Sequence, residues 1–246
     1  MAFLGGLARL VEYRGGKVSF NWDIQDSAVT MNLAQNGFKA AFRAGGHPWA
    51  GNSIPYREDT RQDAHDFQRY LSELWLGRGW VKVSARLRDA IVGHMAEIYL
   101  NAFEHGQSPI GVFTCGQHFP RKRELSLTIV DFGVGIPSNV RLFKASEFAP
   151  EDLPAAKCME WAFQRGTSTK PGIGRGIGLD LLREFVRQNQ GRLEMFSHEG
   201  YVRVADGQVS FGERPTFFEG TLVNVSLRCD ESYYCLASEL SDKPPF

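Results

Sequence analysis

Apolar residues in this chain change their spacing several times, and each change marks an element. Phe3, Leu4, Leu7, Leu10 and Val11 recur at helical intervals, which predicts a short helix over 3–13 with those side chains on one face. Gly15 and Gly16 stop it, and VSFNW at 18–22 alternates as a strand does. A second amphipathic helix follows at about 26–42, ended by the glycines and proline of AGGHPWAGN. SIPYRED at 53–59 reads as a short strand or extended link. Phe67, Leu71 and Leu74 place a helix between Asp63 and Leu76, and a longer one runs from about Ser84 to His105 after Gly77-Arg78-Gly79.

The second half is richer in strands. IGVFTCGQHF (110–119) and ELSLTIVD (124–131) flank a basic turn, and 137–165 is helical but irregular, with Pro154 near a helix start. A glycine run leads into a helix ending at about Asn189. GRLEMFS (191–197), GYVRVAD (200–206), VSF (209–211) and TLVNVSLR (221–228) then read as antiparallel strands, and the tail SDKPPF as disordered. Three segments follow: a small α/β unit at 1–59, a main domain at 60–230 and a tail at 231–246.

Composition narrows the function classes. Lys plus Arg equals Asp plus Glu at 28 each, so no net field draws in nucleic acid or acidic lipid. No apolar run approaches the roughly 20 residues needed to span a bilayer, and the N-terminus lacks a signal peptide's basic region. Cys115, Cys158, Cys229 and Cys235 form no CxxC pair, which points to buried thiols in a cytosolic protein rather than zinc or a disulfide framework. Arg121-Lys122-Arg123 reads as a solvated turn.

Three stretches carry candidate chemistry. In GTSTKPGIGRGIGLDLL (166–182), glycines at 172, 174, 176 and 178 precede a helix, so free N–H groups and a helix N-terminus form an anion site beside Lys170 and Arg175. The long helix holds Glu97, Asn101 and His105 four residues apart, hence on one face. Alone, that stripe suits a solvated polar face as well as a site. Asp131 ends an apolar strand and is followed by FGVGI, where Gly133 and Gly135 let a flat ring approach a carboxylate that accepts from an amino group; a capped turn is the plain alternative.

Together, EIYLNAFEH (97–105), DFGVGI (131–136) and GTSTKPGIGRGIGL (166–179) resemble, in order and at fitting separations, the N, G1 and G2 boxes of the GHKL ATP-binding superfamily. That superfamily covers the DNA gyrase B subunit, heat-shock chaperone ATPases, histidine kinases and MutL repair proteins. The resemblance spans about residues 60–230. It implies a Bergerat-type fold, a two-layer sandwich of helices on a mixed, largely antiparallel sheet, with ATP and Mg²⁺ as cofactors. Carried over by position, Glu97 matches the general base and Asn101 the Mg²⁺ ligand, while Asp131 matches the acceptor of the adenine amino group. Gly133, Gly135 and Ile136 match the turn under adenine. Gly172, Gly174, Gly176, Ile177, Gly178 and Leu179 match the phosphate lid, with Lys170 and Arg175 as phosphate contacts. Thr221 resembles the threonine completing the adenine end, and His105 lies near phosphates or ribose, or packs.

The ExxxNAxxH form is similar to anti-sigma-factor serine kinases, and the lid to certain sensor histidine kinases. His65 in DAHDFQRYL loosely resembles a phosphoacceptor box, but the glycines at 77 and 79 interrupt the long helices such a module needs. The expected transducer domain of gyrase-type proteins finds no room after the last strand, and no P-loop is present. Residues 1–59 resemble part of a STAS-like module, or serve as an extension packed on the ATP domain. The expectation is a cytoplasmic bacterial protein that hydrolyses ATP or transfers its γ-phosphate to a partner protein, with a homodimer possible. The alternative is a nucleotide-gated interaction switch with little turnover.

Overall fold

The computed structural model describes residues 1–23, 27–45, 48–49, 51–147, 149, 152–164 and 178–241. Its centre is a seven-stranded antiparallel sheet in the order β1-β3-β4-β8-β5-β6-β7, where β1 is Ser53–Asp59, β3 Val112–Phe119, β4 Glu124–Asp131, β5 Arg192–Ser197, β6 Gly200–Ala205, β7 Gln208–Glu213 and β8 Thr221–Arg228. A parallel pair joins β2 (Lys82–Val83) to β9 (Tyr233–Tyr234).

Period-2 alternation sets the two faces of the sheet. Leu125, Leu127 and Ile129 of β4, Val223, Val225 and Leu227 of β8, and Leu193 and Met195 of β5 belong to one large core. Helices α4 (Ala64–Tyr70), α5 (Ala85–Asn101) and α8 (Gly178–Gln188) close that core with Phe67, Ile91, Met95, Tyr99, Leu182 and Val186. Tyr99 stacks on Phe67 with centroids 4.1 Å apart. Two more helices flank the layer, α6 (Gly135–Phe143) and α7 (Ala155–Ala162), the latter starting at Pro154 as its fixed φ allows.

The opposite face is covered at one end only. Helix α1 (Ala2–Tyr13) lies on β3 and β4, seated by Ala2 and Leu10 against Phe113, Cys115, Val130 and Phe132. Elsewhere that face is polar: Ser126 and Thr128 both donate to Asn224 Oδ1, at 3.2 and 3.0 Å.

Several expectations need correction. In α1 the large residues Phe3, Leu4, Leu7 and Val11 are each about 40% exposed, and the buried side is Ala2, Gly5, Gly6, Ala8 and Leu10. Residues 18–22 form no strand; Phe20 instead packs on Trp22, Phe38 and Phe42. The helix expected at 26–42 is two, α2 (Ser27–Gln35) and α3 (Phe38–Ala41), separated at Gly37. β1 pairs with β3, so the segment before residue 60 contributes the edge strand of the same sheet as the residues after it. A short helix, α9 (Ala237–Ser241), precedes residues 242–246 of the SDKPPF segment, which lie outside the described residues.

Candidate functional site

The strand register brings three polar side chains into one row. Ser197 of β5 pairs with Thr221 of β8, and Thr221 pairs with Asp131 of β4. Each continues an apolar row facing the helical layer, so the core's lining turns polar where the strands end. Asp131 is only 3% exposed. Its carboxylate accepts from the Gly133 N–H at 2.9 Å and from the Thr221 backbone N–H. Burial pushes its pKa up to about 7 against those two donors, which favour the charged form. A buried carboxyl near half-ionisation, with acceptor capacity to spare, suits a ligand amino group.

Close backbone approach builds the turn around it. The Val134 N–H donates to Gly106 O at 2.7 Å, and a β-carbon on Gly133 would sit 1.8 Å from that oxygen. Gly135 has φ +74°, open to glycine but strained for other residues, and a β-carbon there would meet the His198 ring at 2.7 Å. Ser197 ties the pieces together: its Oγ donates to Gly220 O at 2.6 Å, accepts from the Ile136 N–H at 2.9 Å and lies 3.2 Å from Thr221 Oγ1. His198 Nε2 is 2.9 Å from Val134 O. A carbonyl only accepts, so Nε2 carries the proton and the buried Nδ1 is left without a partner. Burial lowers this histidine's pKa, so the neutral ring is favoured.

The second wall is α5. Ser84 caps its start, accepting from the Leu87 N–H at 3.1 Å. Glu97 and Asn101 lie one turn apart near its end, Glu97 partly exposed and Asn101 exposed. His94 Nδ1 approaches Glu97 Oε2 at 3.8 Å; burial lowers the His94 pKa while Glu97 opposes the shift. The helix then widens into a π turn over Ala102–Gly106. That turn carries one more residue per repeat, so His105 steps off the expected stripe. It is half-buried, and its carbonyl accepts from Asn139 Nδ2 at 3.0 Å, which also donates to Gly135 O at 3.1 Å. Asn139 thus ties the end of α5 to the start of α6.

Of the residues expected from sequence, Asp131, Gly133, Gly135, Ile136 and Thr221 come together at the strand ends. Glu97, Asn101 and His105 lie on the α5 segment leading to Gly106, which touches Asp131. Lys170, Gly172, Gly174, Arg175, Gly176 and Ile177 lie outside the described residues, while Gly178 and Leu179 open α8. Sequence reasoning passed over Ser197, His198, Gly106, Asn139 and Gly220, because a lone Ser-His at a strand end has no periodic or spacing signal. Among the described residues no cluster of three His, Cys, Asp or Glu side chains could hold a metal. Asn101 is exposed at the last position of α5, and its side-chain amide carries one hard oxygen. One oxygen donor of this kind fits a hard cation held mainly by water and phosphates.

Residues 87–229, more than half of the chain, match the family model described as histidine kinase-, DNA gyrase B- and HSP90-like ATPase. The chain belongs to that family. The match opens within α5 and closes just past β8, so it takes in every expected site residue. As a histidine kinase-like ATPase domain it binds ATP, and its sheet with a helical layer is the fold expected of the GHKL superfamily. No curated protein is detectably similar to the chain. Among the described residues no helix is long and apolar enough to cross a membrane.

Proposed function

We propose that this ATPase domain is an active, Mg²⁺-dependent enzyme that hydrolyses ATP or transfers its γ-phosphate to a partner protein in a bacterial regulatory system. The observation that carries this reading is Glu97, a solvent-accessible carboxylate one helical turn before the exposed Asn101 and beside a histidine whose neutral form burial favours.

In this reading Asp131 accepts from the adenine amino group, and Gly133 and Gly135 let the ring lie against the turn. Ser197 and Thr221 hold the far edge. Asn101 would hold Mg²⁺ through its amide oxygen; the ion supplies charge neutralisation at the phosphates. Glu97 orients the attacking oxygen and takes its proton, with His94 restricting the rotamers open to the carboxylate. By the same resemblance, Lys170, Arg175 and the glycines from 172 to 178 would contact the phosphates.

The test is incubation of the protein with Mg²⁺ and γ-labelled ATP, alone and with host lysate, beside Glu97→Ala. Label released or moved to a protein by wild type, and lost in a variant that still binds ATP, supports the proposal. Tight ATP binding without turnover by wild type would overturn it in favour of a nucleotide-gated interaction module.

A further inference from the structure

The basic turn 121–123, which plays no part in the ATP site, borders a cavity of about 260 Å³ at the other end of the same strands. Glu124, which lines it, starts β4 and Asp131 ends it, so the two sites lie about 23 Å apart at ~3.3 Å per residue. The cavity opens on the polar face of the sheet, away from the helical layer. Three turns meet there, contributing Arg123, Gln190 and Asp206, and all three residues adopt positive φ (51°, 54° and 52°). Non-glycine residues seldom hold that conformation without a reason in the surrounding structure.

The lining is short of acceptors. Lys122, Arg123, Arg192, Arg203 and Arg228 face it against the carboxylates of Glu124 and Asp206. The ion pairs present are long: Arg192 to Glu194 at 3.3 Å and to Glu124 at 3.9 Å, Arg203 to Glu194 at 4.0 Å, and Arg228 to Asp230 at 3.9 Å. Arg228 also donates to Gln190. Beneath them, Ser226 is 3% exposed, and its Oγ has no hydrogen-bond partner; the buried Nε of Arg192, the residue paired with Ser226 across β5 and β8, has only the 3.3 Å ion pair with Glu194. A β-carbon on Gly191 would sit 2.4 Å from Ser226 O, so glycine there lets the turn close over the floor. A buried, unpartnered hydroxyl under a ring of weakly paired guanidinium groups leaves a place for a polyvalent oxyanion.

We propose that this cavity is a second ligand site that takes a phosphate monoester group, carried on a protein side chain or on a small molecule. A planar carboxylate satisfies one guanidinium fork, and the local glutamates already do so poorly. A tetrahedral dianion presents oxygens to Ser226 below and to Arg192, Arg203 and Arg228 around it. A nucleic-acid strand fits less well, because no aromatic side chain lines the cavity for base stacking and the chain carries no net positive charge.

The experiment titrates the full chain with inorganic phosphate and, separately, with a phosphoserine peptide and its unphosphorylated form, following amide and arginine side-chain resonances by NMR. Each titration is repeated with saturating non-hydrolysable ATP analogue, which separates this site from the nucleotide pocket. Binding that persists with the analogue should weaken about tenfold or more in Arg192→Gln and several-fold in Ser226→Ala. Arg192→Lys, which keeps the charge but moves the donor, should fall between wild type and Arg192→Gln. Melting curves confirm that the variants fold, and the conservative Ser226→Ala keeps the test valid if Arg192→Gln does not. Tighter binding of the phosphopeptide identifies a protein side chain as the source, and equal or tighter binding of free phosphate identifies a small ligand. Absence of binding by both at millimolar concentration, displacement by the ATP analogue, or affinity unchanged in all three variants would overturn the proposal.

Discussion

The carboxylate of Asp131 packs against the backbone of Gly106, so closely that a β-carbon on Gly106 would lie 2.9 Å from Oδ1 and 3.2 Å from Cγ. The end of the α5 segment and the end of β4 are therefore in contact only because residue 106 has no side chain. Gly106→Ala should displace the Asp131 carboxyl rather than unfold the domain, since the crowded atoms belong to a side chain. We expect ATP affinity to fall about tenfold or more while stability drops by only ~1–2 kcal/mol. Calorimetric titration beside urea unfolding checks both; an unchanged affinity would mean that Asp131 does not touch the nucleotide.

Asp131 also predicts a dependence on pH. Its pKa rises from 3.8 to about 7 on folding, chiefly through burial. An acid that holds its proton more tightly when folded makes stability fall as pH rises from about 4 towards 7, with the full cost present above 7. At most a few kcal/mol follow from a shift of that size. ATP binding should run the other way, strengthening through pH 7 as the carboxylate ionises and accepts from the amino group. In Asp131→Asn both slopes should flatten and affinity should stay low throughout. Unfolding and binding measured at pH 5.5 and pH 8 decide the matter, and a wild-type stability that rises across this interval more steeply than the variant's would contradict it.

Much of this site is legible in the sequence, and the reason is geometric. Asp131, Gly133 and Gly135 lie within one short turn, and Glu97 and Asn101 within one turn of helix, so their spacing survives in the linear pattern. β4 was bounded correctly at Glu124–Asp131 because its alternating Leu125, Leu127 and Ile129 admit one register. Ser197, His198 and Gly106 were not legible: they reach the site through strand pairing and a π turn, neither of which leaves a local mark. Residues 170 to 177, which the resemblance assigns to the lid, lie outside the described residues.

Ser197 should behave as a structural hub of the adenine end. Its hydroxyl is fully buried and meets the Ile136 N–H, the Gly220 carbonyl and Thr221 Oγ1. Ser197→Ala leaves those groups without their partner, at a cost of ~1–3 kcal/mol. Ser197→Cys, similar in shape but a weak hydrogen bonder, should lose nearly as much. If urea unfolding shows either variant within 0.5 kcal/mol of wild type, on the scale of a roughly neutral surface change, then the hydroxyl is not holding the α6 entry to β8.

The faces of α1 give the sharpest contrast between pattern and structure. Large apolar residues recur at helical spacing, and hydrophobicity alone would bury them. Yet the seated face is the one with small residues, because a helix lying flat on Phe113 and Phe132 has no room for side chains at Gly5 and Gly6. A β-carbon on Gly6 would come within 2.2 Å of the Phe132 ring and 2.8 Å of Phe113, and one on Gly5 within 2.0 Å of the Tyr56 hydroxyl. Arg9 strengthens the seating, pairing with Glu58 at 3.0 Å and donating to Ala41 O at 3.0 Å. Gly6→Val should then destabilise the protein by ~2–3 kcal/mol through overpacking. Leu7→Ser on the exposed side should change stability by less than ~1 kcal/mol. Denaturant unfolding of the two variants compares the faces directly: if Leu7→Ser costs more than Gly6→Val, the large residues face the core and the seating described here is wrong.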